Sequence, residues 1–116
     1  MQLKGEAKLL RIFVGENDKA GSIPVYEKIV LAARENGLAG ATVFKGIMGF
    51  GGHSRIHTAK ILRLSEDLPL IIEIVDEDEK IEKFIPLVDE IFESSKSGGL
   101  ITIEKAEIIK YTKTKD

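Results

Sequence analysis

The apolar residues of this chain recur at the two spacings that are typical of strands and of helices. Residues 6–14 alternate in polarity and predict a first β-strand. One face of that strand carries Leu10, Ile12 and Val14, and the other carries Leu9, Arg11 and Phe13. The second face is therefore amphipathic.

A helix and a second strand are predicted next. Between Ser22 and Gly37 the apolar residues recur at helical spacing, at Tyr26, Ile29, Val30 and Ala33. Ser22 is a candidate N-cap, Pro24 suits the first turn, and Gly37 suits the position just past the helix end. Residues 41–48 contain several β-branched side chains and predict the second strand.

The second half of the chain repeats this order. Residues 69–75 are almost continuously apolar around Glu73, which predicts a strand that is buried on both faces. In the helix that follows, Asp76 or Asp78 is the candidate N-cap. Its predicted core stripe is Ile81, Phe84, Ile85, Val88, Ile91 and Phe92. Pro86 within this stripe predicts either a kink near residues 82–86 or a later helix start.

A last strand, predicted for residues 100–109, completes the order β-α-β, long loop, β-α-β. This order predicts an α+β fold of the ferredoxin-like βαββαβ type, in which a four-stranded antiparallel sheet carries both helices on one face. The whole chain, residues 1–116, is expected to form this single domain. Leu9, Phe13 and the apolar third strand would leave the other face apolar, so a homo-oligomer that covers it is expected.

The composition is that of a globular protein without a strong charge bias. The chain is 43% hydrophobic and 31% charged, and its formal net charge of −2 gives it no drive toward nucleic acid or anionic membrane. Cysteine is absent, which excludes disulfides and thiolate chemistry. No apolar run approaches the ~20 residues that span a bilayer, and no apolar signal core is found at the N-terminus, so a cytoplasmic protein without stable membrane insertion is expected. There is no Ser/His/Asp set or Walker lysine motif, and no enzyme activity is predicted.

A glycine-rich stretch, residues 37–52, separates the two halves of the chain. It leads into a long basic loop, residues 49–68, which carries His53, Arg55, His57, Lys60 and Arg63. Connections of this length without clear structure are usually functional or mobile. Within the loop, residues 58–64 could extend a strand or form a helical turn.

Four motifs, in this order and spacing, resemble the PII signalling superfamily and more closely its PII-like branch of small trimeric proteins. The resemblance covers residues 7–110. The motifs are Gly37-Leu-Ala-Gly-Ala-Thr-Val43 at the helix end and second strand, Gly49-Phe50-Gly51 at the start of the long loop, Ile72-Glu73-Ile74-Val75 in the third strand, and Ser97-Gly98-Gly99 before the last strand. In the family the long loop is the flexible T-loop.

The resemblance implies a homotrimer that binds an adenine nucleotide in clefts between subunits, as a regulatory ligand and with no cofactor required. Thr42, Glu73 and the backbone near Val75 would surround the adenine. The loop start, at Gly49, Phe50 and Gly51, would pass close to the nucleotide. Gly98 and Gly99 would offer backbone N–H groups to phosphate. These assignments agree with the chemistry, because a carboxylate accepts an amine and bare amides bind anions.

Several positions depart from the family pattern. Gly98 replaces an acid and Leu100 replaces a lysine, while Tyr111 and Lys113 stand where the family has two arginines. Fewer cations weaken the charge-assisted contacts with a triphosphate, so AMP, ADP or a cyclic nucleotide is expected in preference to ATP. The loop contains no tyrosine, so control by uridylylation of the loop is not expected.

The residues of the nucleotide site also have structural interpretations. Glu73 could be a sheet carboxylate that meets a lysine across a subunit interface, because a lone buried carboxylate is costly. Thr42 could simply favour a strand, and Gly98-Gly99 could be an ordinary turn.

The basic residues of the loop leave similar alternatives. His53 and His57 would share a face if the loop were helical, as metal ligands do, but a solvated pair is the simpler interpretation. Arg55, Lys60 and Arg63 could be solvated, or they could contact phosphate or an acidic partner.

The sequence therefore predicts a non-enzymatic PII-like regulator, in which an adenine nucleotide orders or releases loop 49–68 and the loop contacts a partner protein. The alternative is a divalent-metal-responsive trimer resembling the cation-tolerance proteins, which would need His53 or His57. An RNA-binding ferredoxin-like domain ranks lower, because the strands hold few aromatic residues and the chain is net acidic.

Overall fold

The structure, a computed structural model, describes residues 5–49 and 67–114. Its strands are β1 (Gly5–Gly15), β2 (Lys19–Ala20), β3 (Ile23–Pro24), β4 (Thr42–Lys45), β5 (Pro69–Asp76) and β6 (Leu100–Ile108). Its helices are α1 (Val25–Glu35) and α2 (Asp78–Ser95). The alternatives for residues 58–64 concern residues outside the described ranges.

Four strands form one antiparallel sheet in the order β4-β5-β1-β6. The two strands of the second β-α-β half therefore flank β1, as a ferredoxin-like fold requires, and the predicted fold class is confirmed. The short strands β2 and β3 pair with each other in a separate hairpin before α1. That hairpin was not predicted, because strands of two residues carry no periodic signal.

The core lies between the sheet and the two helices. Buried sheet residues alternate along the chain, at Leu10, Ile12 and Val14 of β1 and at Leu70, Ile72 and Ile74 of β5. They pack with Ile29 and Ala33 of α1 and with Ile81, Phe84, Val88 and Ile91 of α2. The predicted faces of β1 and the predicted stripe of α2 are thus confirmed. The prediction that β5 is buried on both faces is wrong for a single chain, because no layer in the described part of the chain covers Ile71, Glu73 and Val75.

The start of each helix differs from the prediction. Pro24 is the N-cap residue of α1, and Ser22 lies instead in the turn between β2 and β3. The N-cap of α2 is Glu77, and its side chain makes no capping hydrogen bond. Asp78 is the first residue of α2, and the side chain of Asp76 bonds elsewhere. The helix runs continuously through Pro86, so the predicted late start is also wrong.

The end of α1 agrees with the prediction. Gly37 has a φ of 74°, and its amide donates to the carbonyl of Arg34 at 3.3 Å. The amide of Leu38 donates to the carbonyl of Ala33 at 3.1 Å. These two bonds form a Schellman motif, which favours glycine at the left-handed position.

Strand β4 is shorter than residues 41–48. The amide of Gly46 donates to the carbonyl of Pro69 at 2.8 Å, and β5 begins at Pro69. Proline has no N–H to continue the ladder, so pairing stops there. Ile47 and Met48 consequently lie outside the strand and are largely exposed.

Candidate functional site

The face of the sheet opposite the helices, here called the open face, is left uncovered by both helices. In-register pairs place an apolar row across all four strands, at Phe44, Ile71, Phe13 and Leu100. The neighbouring row is polar and contains Thr42, Glu73, Arg11 and Thr102. Phe44 is 47% exposed and Leu100 is 53% exposed in a single chain. Such an apolar row on a sheet face is typical of an interface.

An ion triad crosses the open face. The Nε of Arg11 donates to Oε2 of Glu73 at 2.8 Å, and its Nη1 donates to Oε1 of Glu104. The hydrogen bond with Glu73 and the charge of Glu104 raise the pKa of Arg11, so the guanidinium stays charged. Glu73 therefore meets an arginine of its own chain. Sequence reasoning missed this role of Arg11, although a lone cation in the predicted amphipathic face of β1 was a usable signal.

The structure brings three of the predicted adenine contacts together. Thr42 of β4 lies directly opposite Glu73 of β5, so both side chains belong to the open face. Val75 follows two residues along the same face and is 38% exposed. All four residues of β4 are exposed at the edge of the sheet. The cluster is thus accessible from that edge.

Asp76 fixes the segment that leads into this cluster. Its side chain is fully buried; Oδ2 accepts the amide of Ala39 at 2.8 Å and Oδ1 accepts the amide of Glu77 at 2.7 Å. The hydroxyl of Tyr111 donates to the carbonyl of Ala39 at 3.4 Å. The connection between α1 and β4 is therefore held by the end of β5 and by the C-terminal segment.

Gly98 and Gly99 lie at the other edge of the sheet. Gly99 precedes Leu100, the first residue of β6, whereas Thr42 lies on β4 at the opposite edge. Strands are about 4.8 Å apart, so the outer strands of a four-stranded sheet are separated by about 14 Å. One chain therefore does not bring the predicted adenine contacts and the predicted phosphate contacts together.

Tight packing is by itself a sufficient reason for glycine at position 99, whether or not the residue binds phosphate. A Cβ there would lie 2.5 Å from Cζ of Phe92 and 2.7 Å from the carbonyl oxygen of Phe13. We expect Gly99→Ala to lower the free energy of unfolding by about 1–3 kcal/mol, because the Phe13 backbone cannot move without disturbing the sheet. Urea denaturation measures the effect. Gly40→Ala is the matched control, since a Cβ there meets nothing within 4 Å; equal stability of the two variants would contradict this explanation.

The base of the long loop is anchored on the turn after β1. The Nζ of Lys45 lies 2.7 Å from Oε2 of Glu16, and the amide of Glu16 donates to the carbonyl of Leu68 at 2.9 Å. The hydrogen bond from Lys45 lowers the pKa of Glu16. Gly49 lies against Pro69, with a φ of 157°. Residues before and after the loop therefore meet at one turn.

The remaining predicted loop contacts lie outside the described residues. They are Phe50, Gly51, His53, Arg55, His57, Lys60 and Arg63. Among the described residues, no group of three His, Cys, Asp or Glu side chains is placed to hold a metal ion. No helix in the described ranges is long and apolar enough to cross a membrane.

Comparisons with known protein families and sequences give consistent matches. The family model DUF190, described as Uncharacterized ACR, matches residues 7–108. A UPF0166 protein from Aquifex aeolicus (strain VF5) is 43% identical over 102 residues, which covers 88% of this chain and 92% of the relative. A UPF0166 protein from Methanocaldococcus jannaschii is 38% identical over 105 residues, covering 90% of this chain and 94% of the relative.

Solved structures with a similar fold include two PII-like proteins. One is CPII, a nitrogen regulatory PII-like protein from Thiomonas intermedia K12, solved with bound ADP, AMP and bicarbonate; the TM-score is 0.63 at 15% identity, over 92% of this chain and 97% of CPII. The other is a PII-like signaling protein from Thermus thermophilus, with a TM-score of 0.63 at 15% identity over 94% of both chains. The PII-like architecture predicted from the motifs is thus confirmed as a fold.

Proposed function

This chain belongs to the DUF190 family, and we propose that it is a PII-like regulator that binds an adenine nucleotide between the subunits of a homotrimer. The observation that carries this proposal is the division of the predicted site between two edges of one sheet. Thr42, Glu73 and Val75 lie on the edge strand β4 and on its neighbour β5, and Gly98 and Gly99 lie beside the β6 edge. A site divided in this way is completed when the β6 edge of one subunit approaches the β4 edge of the next.

The open face supports the oligomer. Its apolar row would be covered if three subunits turned these faces toward one axis, and head-to-tail contacts between unlike edges close into a ring. Fold similarity to CPII, which was solved with ADP and AMP, supports an adenine nucleotide as the ligand. Because such similarity shows the fold alone, the nucleotide site rests on the residues of this chain.

The proposed ligand is AMP, ADP or a cyclic nucleotide rather than ATP. Tyr111 stands where the family has a phosphate-binding arginine, and its hydroxyl is bonded to Ala39 instead. Each missing charge-assisted contact lowers affinity for a triphosphate relative to shorter ligands. We further propose that Gly49, Phe50 and Gly51 couple the ligand to loop 49–68. In this proposal His53, Arg55, Lys60 and Arg63 contact phosphate or a cytoplasmic partner protein, and the protein catalyses no reaction.

Calorimetric titration of the full chain with AMP, ADP, ATP and cyclic AMP tests the proposal. We expect saturable binding of AMP, ADP or cyclic AMP, about tenfold tighter than ATP, which corresponds to one lost charge-assisted contact. The variant that tests the site is Glu73→Gln, which keeps the shape of the side chain but removes its charge and should weaken binding by about tenfold or more. Absence of binding by all four nucleotides at millimolar concentration would overturn the proposed function.

A further inference from the structure

The Glu73 carboxylate uses only one of its two oxygens within the described part of the chain. Oε2 accepts from Arg11 at 2.8 Å, and Oε1 has no partner there. We propose that Arg11 is a positioning residue for base recognition: it holds Glu73 so that Oε1 accepts the exocyclic amine of the adenine. This inference rests on the proposed function. Arg11, by holding Glu73, would set the preference of the site for adenine over other bases.

Arg11 is itself held from two sides, which makes it suited to this role. It lies on β1 between Glu73 on β5 and Glu104 on β6. The side chains of Arg11 and Glu73 are 36% and 29% exposed, so both are partly buried in a single chain. A carboxylate that is fixed before binding loses less side-chain entropy when the ligand arrives, and affinity is correspondingly higher.

The charges of the triad argue against a direct role of Arg11 in binding phosphate. Two carboxylates surround one guanidinium, so the triad carries a net charge of −1 and repels an anion. A neutral amine has no such repulsion, and it is a donor that matches Oε1 of Glu73. The geometry therefore favours recognition of the base over recognition of the phosphate.

The consequence is a measurable discrimination between bases. Adenine presents an amine at the position where hypoxanthine presents a carbonyl oxygen, which cannot donate to a carboxylate. The ratio of the affinities for ADP and inosine diphosphate therefore reports on Glu73. A general loss of stability would lower both affinities together and leave the ratio unchanged.

The experiment compares this ratio in the full-length wild type and in Arg11→Met, Arg11→Lys, Glu73→Gln and Arg11→Met/Glu73→Gln. We expect Arg11→Met to lower the ratio about tenfold, as expected for one charge-assisted hydrogen bond. Lysine should give an intermediate ratio, because its compact ammonium pairs with a carboxylate through a different geometry. If the methionine variant does not fold, the lysine variant still decides. The double variant should have the ratio of Glu73→Gln, since the two residues act as one unit.

Lys8→Met is the matched control. It also removes a cation of β1, but one that pairs with Asp78 of α2 on the other face of the sheet, so the ratio should stay within about twofold of the wild type. A wild-type ratio in Arg11→Met and Arg11→Lys would overturn the role of Arg11, as would an equal fall in Lys8→Met. If the wild type binds no adenine nucleotide, the proposed function itself fails; if it binds ADP and only the ratio is insensitive to Arg11, the proposed function stands.

Discussion

Replacing Phe44 with glutamate is expected to dissociate the proposed homotrimer into monomers and to abolish the proposed nucleotide binding with it. Phe44 lies in the apolar row of the open face and is 47% exposed in a single chain. In the proposed trimer each glutamate would be buried within the apolar row, and burying an uncompensated charge costs at least several kcal/mol. The dissociation constant of the oligomer should therefore rise by at least about 100-fold, equivalent to about 2.7 kcal/mol. Size-exclusion chromatography with light scattering measures the change in mass.

The control for this variant is Leu31→Glu. Leu31 is also a large apolar residue and is similarly exposed, at 43%, but it lies on α1, away from the open face. Surface substitutions outside an interface usually change stability by less than about 0.5 kcal/mol, so this variant should keep the wild-type mass. If Phe44→Glu and wild type have the same mass and bind ADP equally, the open face does not form the interface.

The elements with strong periodicity could be predicted from the sequence, and those set by distant contacts could not. The alternation through β1 and the stripe of α2 indicated which residues form the core, because each pattern has a repeat that matches one kind of element. Strand β4 is different. Its last residue depends on Pro69, which lies at the start of β5 and offers no N–H for pairing.

The candidate site was predictable only in part, for a similar reason. Thr42 and Glu73 were named from motifs, and the structure places them opposite each other. The structural alternative for Glu73 pairs it with a lysine of another subunit, whereas Arg11 of the same chain fills that role through a strand pairing that spans 62 residues of sequence. The sequence alone does not give the register between β1 and β5, so it could not identify this pair.

Asp76 shows most clearly how local reasoning fails. An acid after an apolar strand and before a helix has the pattern of an N-cap. The carboxylate instead accepts the amide of Ala39, 37 residues earlier in the chain, together with the amide of Glu77. Its complete burial distinguishes this bond from a surface cap. A buried carboxylate with two amide donors is a structural clamp, and its removal should have a large effect.

Asp76→Ala is accordingly expected to lower the free energy of unfolding by about 2–4 kcal/mol, because two backbone donors lose their acceptor. A loss of this size is a substantial share of the free energy of unfolding of a typical domain, which is about 5–15 kcal/mol. Urea denaturation at a fixed protein concentration measures it. Asp78→Ala is the control, since Asp78 is exposed and its ion pair with Lys8, at 3.9 Å, is long; its removal should cost less than about 1 kcal/mol. Equal effects of the two substitutions would show that Asp76 is not a clamp.

Asp76→Asn extends the test from stability to binding. Asparagine keeps the shape of the side chain but offers one carbonyl oxygen, so one of the two amides must face an NH₂ group. We expect a loss of stability smaller than that of alanine. Because Ala39 leads directly into Thr42, a loosened amide there should also weaken ADP binding under conditions in which the variant is fully folded. Wild-type affinity in a folded Asp76→Asn protein would mean that the clamp stabilises the fold without positioning the nucleotide site.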